Sequence, residues 1–369
     1  MHQITLPTPF PVGPVHIYLL EGEPLTLLDT GPRTPEALQK LEEGLAELGY
    51  SVGDLQQIVV SHAHADHYGL AATLAETSGA AVLAHPRCAS QLDAHAERGG
   101  SLLWYAGLLR RAGMPLPLQL RVAGGFRHVN SHSDPVRVTR LLAEGDAIRM
   151  GEAEWQVLHT PGHSADLICL YQKEARLLLG SDHLIKHISS NAIIEPPEGK
   201  GADRRRPLVE YWAGLQRVAE MDIGLVLAGH GRPIDDHRAL IEKRFSFYQK
   251  RLQSIRRALC DGPSTVWGIV EQLFPRLGGI DTFLAVSEVL GHLDVMEDAG
   301  EVRVTTEGGV WRYELVAHPD DSELESTASD DDAEMRRRAI AAAGRFQSGV
   351  TDVSSEHDKY LAEAYEEQL

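Results

Sequence analysis

Cysteine is scarce. Cys88, Cys169 and Cys260 are the only three in 369 residues, far apart and without a Cys-x-x-Cys pair. That excludes a disulfide framework and a thiolate metal site, and makes a reducing cytosol the expected compartment. Basic charge is short as well: 35 Lys and Arg against 53 Asp and Glu leave a net charge of −18. Such a balance argues against capture of DNA or of an anionic membrane by the molecule as a whole. The sequence has no run of about 18 uninterrupted apolar residues. Its start, Met1-His2-Gln3-Ile4-Thr5-Leu6-Pro7, has no basic segment followed by an apolar core. A soluble, unexported, cytoplasmic protein is the expectation.

What is present is ample for a core: 43% hydrophobic and 24% charged residues over a length that suits more than one domain. The acidity is uneven. Residues 318–369 hold 14 acids and 5 bases, half of the net charge, while residues 1–317 hold 39 and 30.

One short stretch stands out: Ser61-His62-Ala63-His64-Ala65-Asp66-His67-Tyr68-Gly69. Four potential metal ligands follow the apolar run Ile58-Val59-Val60 and precede a helical pattern from Leu70. Extended backbone would carry His62 and His64 on one face, and a following turn would let Asp66 and His67 address a neighbouring position. Imidazole and carboxylate at that spacing suit two metal ions side by side.

Strands are expected at 15–21 and 24–29 around a Gly22-Glu23 turn, with Asp29 ending the second. Asp29 reads as a carboxylate bonding loop amides near the site rather than as a catalytic group. A helix follows over 35–48, another over 70–78, and a buried strand over 80–84. Helical patterns cover 86–97 and 101–112, whereas 114–134 is rich in Pro, Gly and polar residues. The apolar helix with Leu102, Leu103, Trp104, Tyr105, Leu108 and Leu109 fits either core or a lid. His85, His95, His128 and His132 fit no ligand spacing.

Strand patterns return at 147–149, 154–159, 167–171, 176–179 and 223–227. Three connections follow such strands: Thr160-Pro161-Gly162-His163-Ser164, Gly180-Ser181-Asp182-His183 and Ala228-Gly229-His230-Gly231. Each presents an imidazole or carboxylate just past a strand end, with Gly or Pro beside it, as a sheet does when it offers ligands along one rim.

These residues together resemble the metallo-β-lactamase fold superfamily, over about residues 10–235. The match consists of His62-x-His64-x-Asp66-His67, His163 in Thr-Pro-Gly-His, Asp182, and His230 in Gly-His-Gly. It is similar to the glyoxalase-II-like branch, because Asp182 stands at the bridging position and no Cys serves as ligand. The resemblance implies an α/β fold, a four-layer αβ/βα sandwich with its site on one edge between two sheets. It implies His62, His64 and His163 on one divalent metal ion, Asp66, His67 and His230 on a second, and Asp182 bridging both. Such a set suits zinc, and iron or manganese occupy similar sites. A solvent molecule bridging two divalent cations ionises near neutral pH and can attack a carbonyl carbon or a phosphorus. Asp66 is then the catalytic candidate, orienting that nucleophile or taking its proton.

The loop after Asp182 is expected to line the cleft, with His183, Lys186, His187 and Asn191 as candidate substrate contacts; Ser189–Asn191 could equally cap a turn. Arg204-Arg205-Arg206 could meet an anionic group such as a coenzyme A phosphate or RNA, and a solvated loop is the other reading.

Residues 1–235 are read as the hydrolase domain and 236–317 as a second, smaller α+β domain. Its helices at 237–259, 265–274 (capped by Ser264) and 282–296, then a hairpin of 301–304 and 310–315, resemble a winged helix. That appendage also occurs in members of the superfamily related to β-lactamase-like protein 2. The helix that would enter a DNA groove carries Asp281, Glu288, Asp294, Glu297 and Asp298 but no Lys or Arg, so a bracing role is expected and no DNA partner. Residues 318–369 form an acidic tail: a linker at 320–332 that cannot bury a core, a short helix at 333–346, and a last stretch resembling the toxin-binding tails of some bacterial antitoxins, a candidate segment for a protein partner. The expected activity is hydrolysis of a small ester or thioester, with endoribonuclease activity on RNA as the alternative.

Overall fold

A computed structural model describes residues 1–93, 98–197, 202–275, 277–278 and 280–316. The tail's linker, short helix and partner segment lie outside the described residues, as does His95. Six strands, β1 (His2–Leu6), β2 (Val15–Leu20), β3 (Thr26–Leu28), β4 (Gln57–Val60), β5 (Ala81–Ala84) and β6 (Arg140–Leu141), form one sheet in that order. The first three are antiparallel neighbours, and β3 to β6 run parallel. A second sheet has the order β11-β10-β9-β8-β7, from β7 (Ala147–Met150), β8 (Ala153–His159), β9 (Ile168–Gln172), β10 (Leu177–Ser181) and β11 (Leu225–Ala228).

Alternating side chains explain why the sheets stack. Leu20, Leu28, Val59 and Leu83 of the first sheet meet Trp155, Val157, Ile168, Leu170 and Leu179 of the second in a shared core. Their neighbours Leu19, Leu27, Ile58, Val60 and Val82 turn the other way, under α1 (Pro35–Glu47), the single turn α2 (Ala65–Tyr68), α3 (Ala71–Ser78) and α4 (Pro86–Asp93). Period-two alternation with both faces buried gives four layers. In α1, Ala37, Leu41 and Leu45 face this core, and Thr34 caps the helix by accepting the amide of Ala37.

The outer face of the second sheet is covered by α7 (Pro207–Glu220) and α8 (His237–Leu259), and beyond them lie α9 (Val266–Leu273), α10 (Asp281–Asp298) and the hairpin of β12 (Val302–Glu307) and β13 (Val310–Leu315). Thr265, not Ser264, caps α9. Two helices come earlier in the chain, α5 (Arg98–Arg111) and α6 (Leu116–Asn130). The second lies in the 114–134 stretch rich in Pro, Gly and polar residues, where no helix is expected: Pro115 and Pro117 stand at the helix start, where proline is tolerated, and Gly124 and Gly125 do not break it. Of the lid-or-core helix, Leu108 and Leu109 are buried in the apolar core that also contains Trp212, Tyr248 and Phe283, and Tyr105 stacks on Phe126 against Phe283. Leu103 alone of that set is fully outward, 78% exposed.

Arg204, Arg205 and Arg206 are neither a free anion site nor a fully solvated run. Arg204 forks onto Asp294, Arg205 pairs with Glu210, and Arg206 with Glu297 and Asp298. Three of the acids of α10, Asp294, Glu297 and Asp298, thus have their cations within the chain.

Candidate metal centre

The rim where both sheets' strands end gathers the ligand candidates. β4 stops at Val60, so His62 and His64 lie on the turn after the strand and not on the strand itself. That turn is held by Asp29, whose carboxylate accepts the amide of Ser61 at 2.8 Å, the Ser61 hydroxyl at 2.8 Å and His67 Nδ1 at 2.8 Å. Asp29 has φ +58°, a left-handed conformation that Asp tolerates. Asp166, buried, accepts from the amide of Ala63 at 2.8 Å and from the Ser164 hydroxyl at 2.5 Å, tying the first ligand turn to the loop of His163.

Three more imidazoles are oriented through Nδ1. His62 Nδ1 bonds Ser61 Oγ at 3.0 Å, His163 Nδ1 bonds the Asn191 carbonyl at 3.0 Å and Ser190 Oγ at 2.9 Å, and His230 Nδ1 bonds the Pro14 carbonyl at 2.8 Å. Such bonds place the proton on Nδ1 and the lone pair on Nε2, the arrangement of a metal-ligating histidine. His64 differs, turning Nδ1 itself inward: His62 Nε2 and His163 Nε2 both lie 3.0 Å from it. Asp182 is near the middle: its carboxylate is 3.4 Å from His67 Nε2, 3.5 Å from His163 Nε2 and 3.7 Å from His230 Nε2, and Asp66 is 3.4 Å from His230 Nε2.

Among the described residues, three groups have all their ligand atoms within 4.8 Å of one another: His62, His64 and His163; His62, His67 and Asp182; Asp66, His67 and His230. His67 Nε2, Asp182 Oδ1 and His230 Nε2 are buried without a hydrogen-bond partner. Buried polar atoms are rarely orphaned in this way, and lone pairs converging at 3.0 Å repel unless something positive lies between them. The donor set therefore fits divalent cations.

Charge follows the same geometry. Burial, and then the charges of His67 and His64, hold His62 well below its usual range; burial and His64 bring His163 down to about 4. Burial pulls His67 and His230 down too, but the carboxylate of Asp182 and those around it outweigh it and raise both. Burial pushes Asp66 up, yet His67 and His230 bring it down to about 2.

Of the four candidate substrate contacts, His187 reaches the edge of the cluster, against Gly231 beside His230; a Cβ at Gly231 would lie 2.4 Å from its Nδ1. His183 is corrected to a core residue: it is fully buried, edge-on to Tyr211 and against Gly214. The Lys186 ammonium is engaged 3.2 Å from the Pro233 carbonyl and 3.2 Å from Asp235. Asn191 works through its carbonyl on His163, while its amide donates to the Leu284 carbonyl at 3.2 Å. Asp166 and Pro14 escaped sequence reasoning, and Ser190 entered it only as part of a possible turn cap. Asp166 is three residues after His163 and could have been suspected; a backbone carbonyl such as that of Pro14 has no residue-type signal at all.

Residues 10–230 match the model of the metallo-beta-lactamase superfamily. The chain is 37% identical over 295 residues to the probable metallo-hydrolase YqjP of Bacillus subtilis, spanning 80% of this chain and 91% of that protein. Its structure is similar to that of a metallo-beta-lactamase family protein of Thermus thermophilus, with TM-score 0.71 and 29% identity over 85% of this chain and 98% of the other. A segment of 58 residues, 16% of this chain and 21% of the relative, is 48% identical to the acyl-coenzyme A thioesterase MBLAC2 of Gallus gallus. The chain belongs to the metallo-beta-lactamase superfamily. Within it, this protein is a metallo-hydrolase.

Proposed function

We propose that this hydrolase cleaves a small ester or thioester, with thioesters preferred, at a centre of two divalent metal ions, zinc being the best fit to five imidazoles and two carboxylates. His62, His64 and His163 would hold one ion, Asp66, His67 and His230 the other, with Asp182 shared. The observation that carries the reading is the convergence of these seven donors with three buried orphan atoms at its centre. Divalent cations there supply Lewis acidity and a water that ionises near neutral pH.

The protein's own part is orientation and exclusion. Asp29, Asp166, Ser190 and the Pro14 carbonyl fix the rings, so the donors need little rearrangement. Asp66, ionised far below neutrality and 13% exposed at its side chain, accepts a hydrogen bond from the attacking water and sets its direction. A thiolate departs without being protonated, which an alkoxide does not, and this favours a thioester; the short likeness to an acyl-coenzyme A thioesterase agrees. RNA cleavage is the weaker reading, because Arg204 to Arg206 are all spent on carboxylates. The helices and hairpin after α7 are read as a winged-helix-like brace.

Zinc-loaded protein assayed on acyl thioesters, lactones, oxoesters and single-stranded RNA tests the proposal. Thioester turnover at least tenfold above the others supports it, and RNA cleavage alone overturns it. Asp66→Ala should lower turnover by 10³-fold or more, roughly the loss of about 4 kcal/mol of transition-state stabilisation; near-normal activity in the purified variant removes Asp66 from the mechanism.

A further inference from the structure

The segment from Asp182 to Ile194 has no regular secondary structure, so its buried backbone groups need partners from elsewhere. They find them on the helices outside the second sheet. Tyr211 of α7 donates to the His183 carbonyl at 2.7 Å. Arg244 of α8 donates through one terminal nitrogen to three carbonyls, those of Ile185 at 2.7 Å, Lys186 at 3.3 Å and Ile188 at 2.6 Å. Tyr248, one turn further along α8, bonds Ser189 Oγ at 3.0 Å. From α10 the Leu284 carbonyl accepts the Asn191 amide at 3.2 Å, and Ser287 Oγ accepts the Ile194 amide at 3.4 Å. The end of this segment is what holds His163: the Asn191 carbonyl and Ser190 Oγ take its Nδ1 proton, and Ser190 also donates to the Asp182 carbonyl at 2.6 Å.

Arg244 is the unusual member. It is 6% exposed, and among the described residues it makes no ion pair with a carboxylate. A buried guanidinium without a counterion is costly, and carbonyl dipoles are what compensate it here. Helix anchoring alone would be met by an apolar side chain. A planar cation is needed where several carbonyls of an irregular loop must be drawn to one point.

We infer that Arg244 is a positioning residue for the metal centre: by gathering the carbonyls of residues 185, 186 and 188 it sets the loop whose Asn191 and Ser190 orient His163. The inference rests on the metal reading above, and it gives the C-terminal helices a direct part in ion binding.

Zinc alone, titrated against a chromogenic chelator into the full chain, tests it. The variants are Arg244→Ala, Arg244→Lys and Tyr248→Phe, with Arg251→Ala as control, because Arg251 lies on the same helix and pairs with Glu288 instead of the loop. Melting of the ion-free proteins reads folding separately. The expected result for Arg244→Ala is a drop of about 10- to 100-fold in affinity for one of two ions, with the second ion and the control unchanged. Lys should recover part of the loss, and Tyr248→Phe should show a smaller drop at near-native melting temperature. If Arg244→Ala does not fold, the Lys and Phe variants decide alone. Two ions bound at native affinity in every folded variant overturn the inference and leave the metal reading standing. A native chain that takes up no ion overturns both.

Discussion

Gly229 shows how closely the backbone approaches the centre. A Cβ added there would lie 2.5 Å from Asp182 Oδ1 and 2.8 Å from His67 Cε1, closer than non-bonded atoms can stand. Gly229→Ala should therefore cost the chain at least one ion, read by elemental analysis of the purified, folded variant; two retained ions would show that the rim can give way. The histidines also predict a pH dependence. In the ion-free protein the surrounding carboxylates hold the protons of His67 and His230 above the usual imidazole range, despite burial. A cation must displace those protons, so zinc affinity should fall as pH drops and protons should be released on uptake at pH 7. Calorimetry in two buffers of different ionisation enthalpy measures this, and buffer-independent heats would contradict it. Asp66 has the opposite sign: its folded-state pKa of about 2 lies below the ordinary carboxylate value of 3.8. The stability it contributes to the ion-free protein is present above that ordinary value and is lost as the pH falls through about 2.

At the scale of elements, the Arg204–Asp294 fork pins the segment before α7 to α10. Asp294 is 1% exposed at its side chain and Arg204 19%. Asp294→Ala leaves a largely buried guanidinium unpaired and should destabilise the protein by about 3–5 kcal/mol, measured by urea unfolding; a loss below about 1 kcal/mol would mean that water reaches Arg204. No pattern along the chain pointed to this pair, since the partners are 90 positions apart. Strands such as β4 and β5 and helices such as α1 and α8 were legible because burial on one face imposes a period on the sequence, and the ligand turns were legible because few other purposes put His, Asp and Gly together at strand ends. The helix α6 was hidden by Pro and Gly, which mark breaks in the interior of a helix but are harmless at its first turn or where propensity is overridden by packing. His183 misled for a related reason: adjacency to Asp182 says nothing about which way a side chain turns after a strand, and this one turns into the core.

For the molecule as a whole, one continuous apolar core runs from Leu108 through Trp212 and Tyr248 to Phe283 and Tyr313. Trp212 packs against Phe245 and Tyr248, with ring centroids 5.8 and 5.5 Å away, and the fully buried rings of Trp212 and Tyr248 contribute about 3 kcal/mol each. A chain ending at 317 should keep full turnover and melting temperature, whereas one ending at 235 should lose the near-ultraviolet circular dichroism of a packed interior. A well-folded short form would show that the sandwich needs no cover on that face. No described helix is long and apolar enough to cross a membrane.

The candidate ligands come from both sheets: His62, His64, Asp66 and His67 follow β4 of one, and His163, Asp182 and His230 follow strands of the other. Ions held there would be rivets as much as reagents, adding to the apolar core and to the few polar ties between the two halves, such as Ser61 Oγ to Ser181 Oγ at 2.8 Å and Tyr18 to the Ala228 carbonyl at 2.6 Å. Stripping them with a chelator would then loosen the sandwich first at the edge where substrate arrives, so that the lifetime of the folded chain would follow the supply of metal.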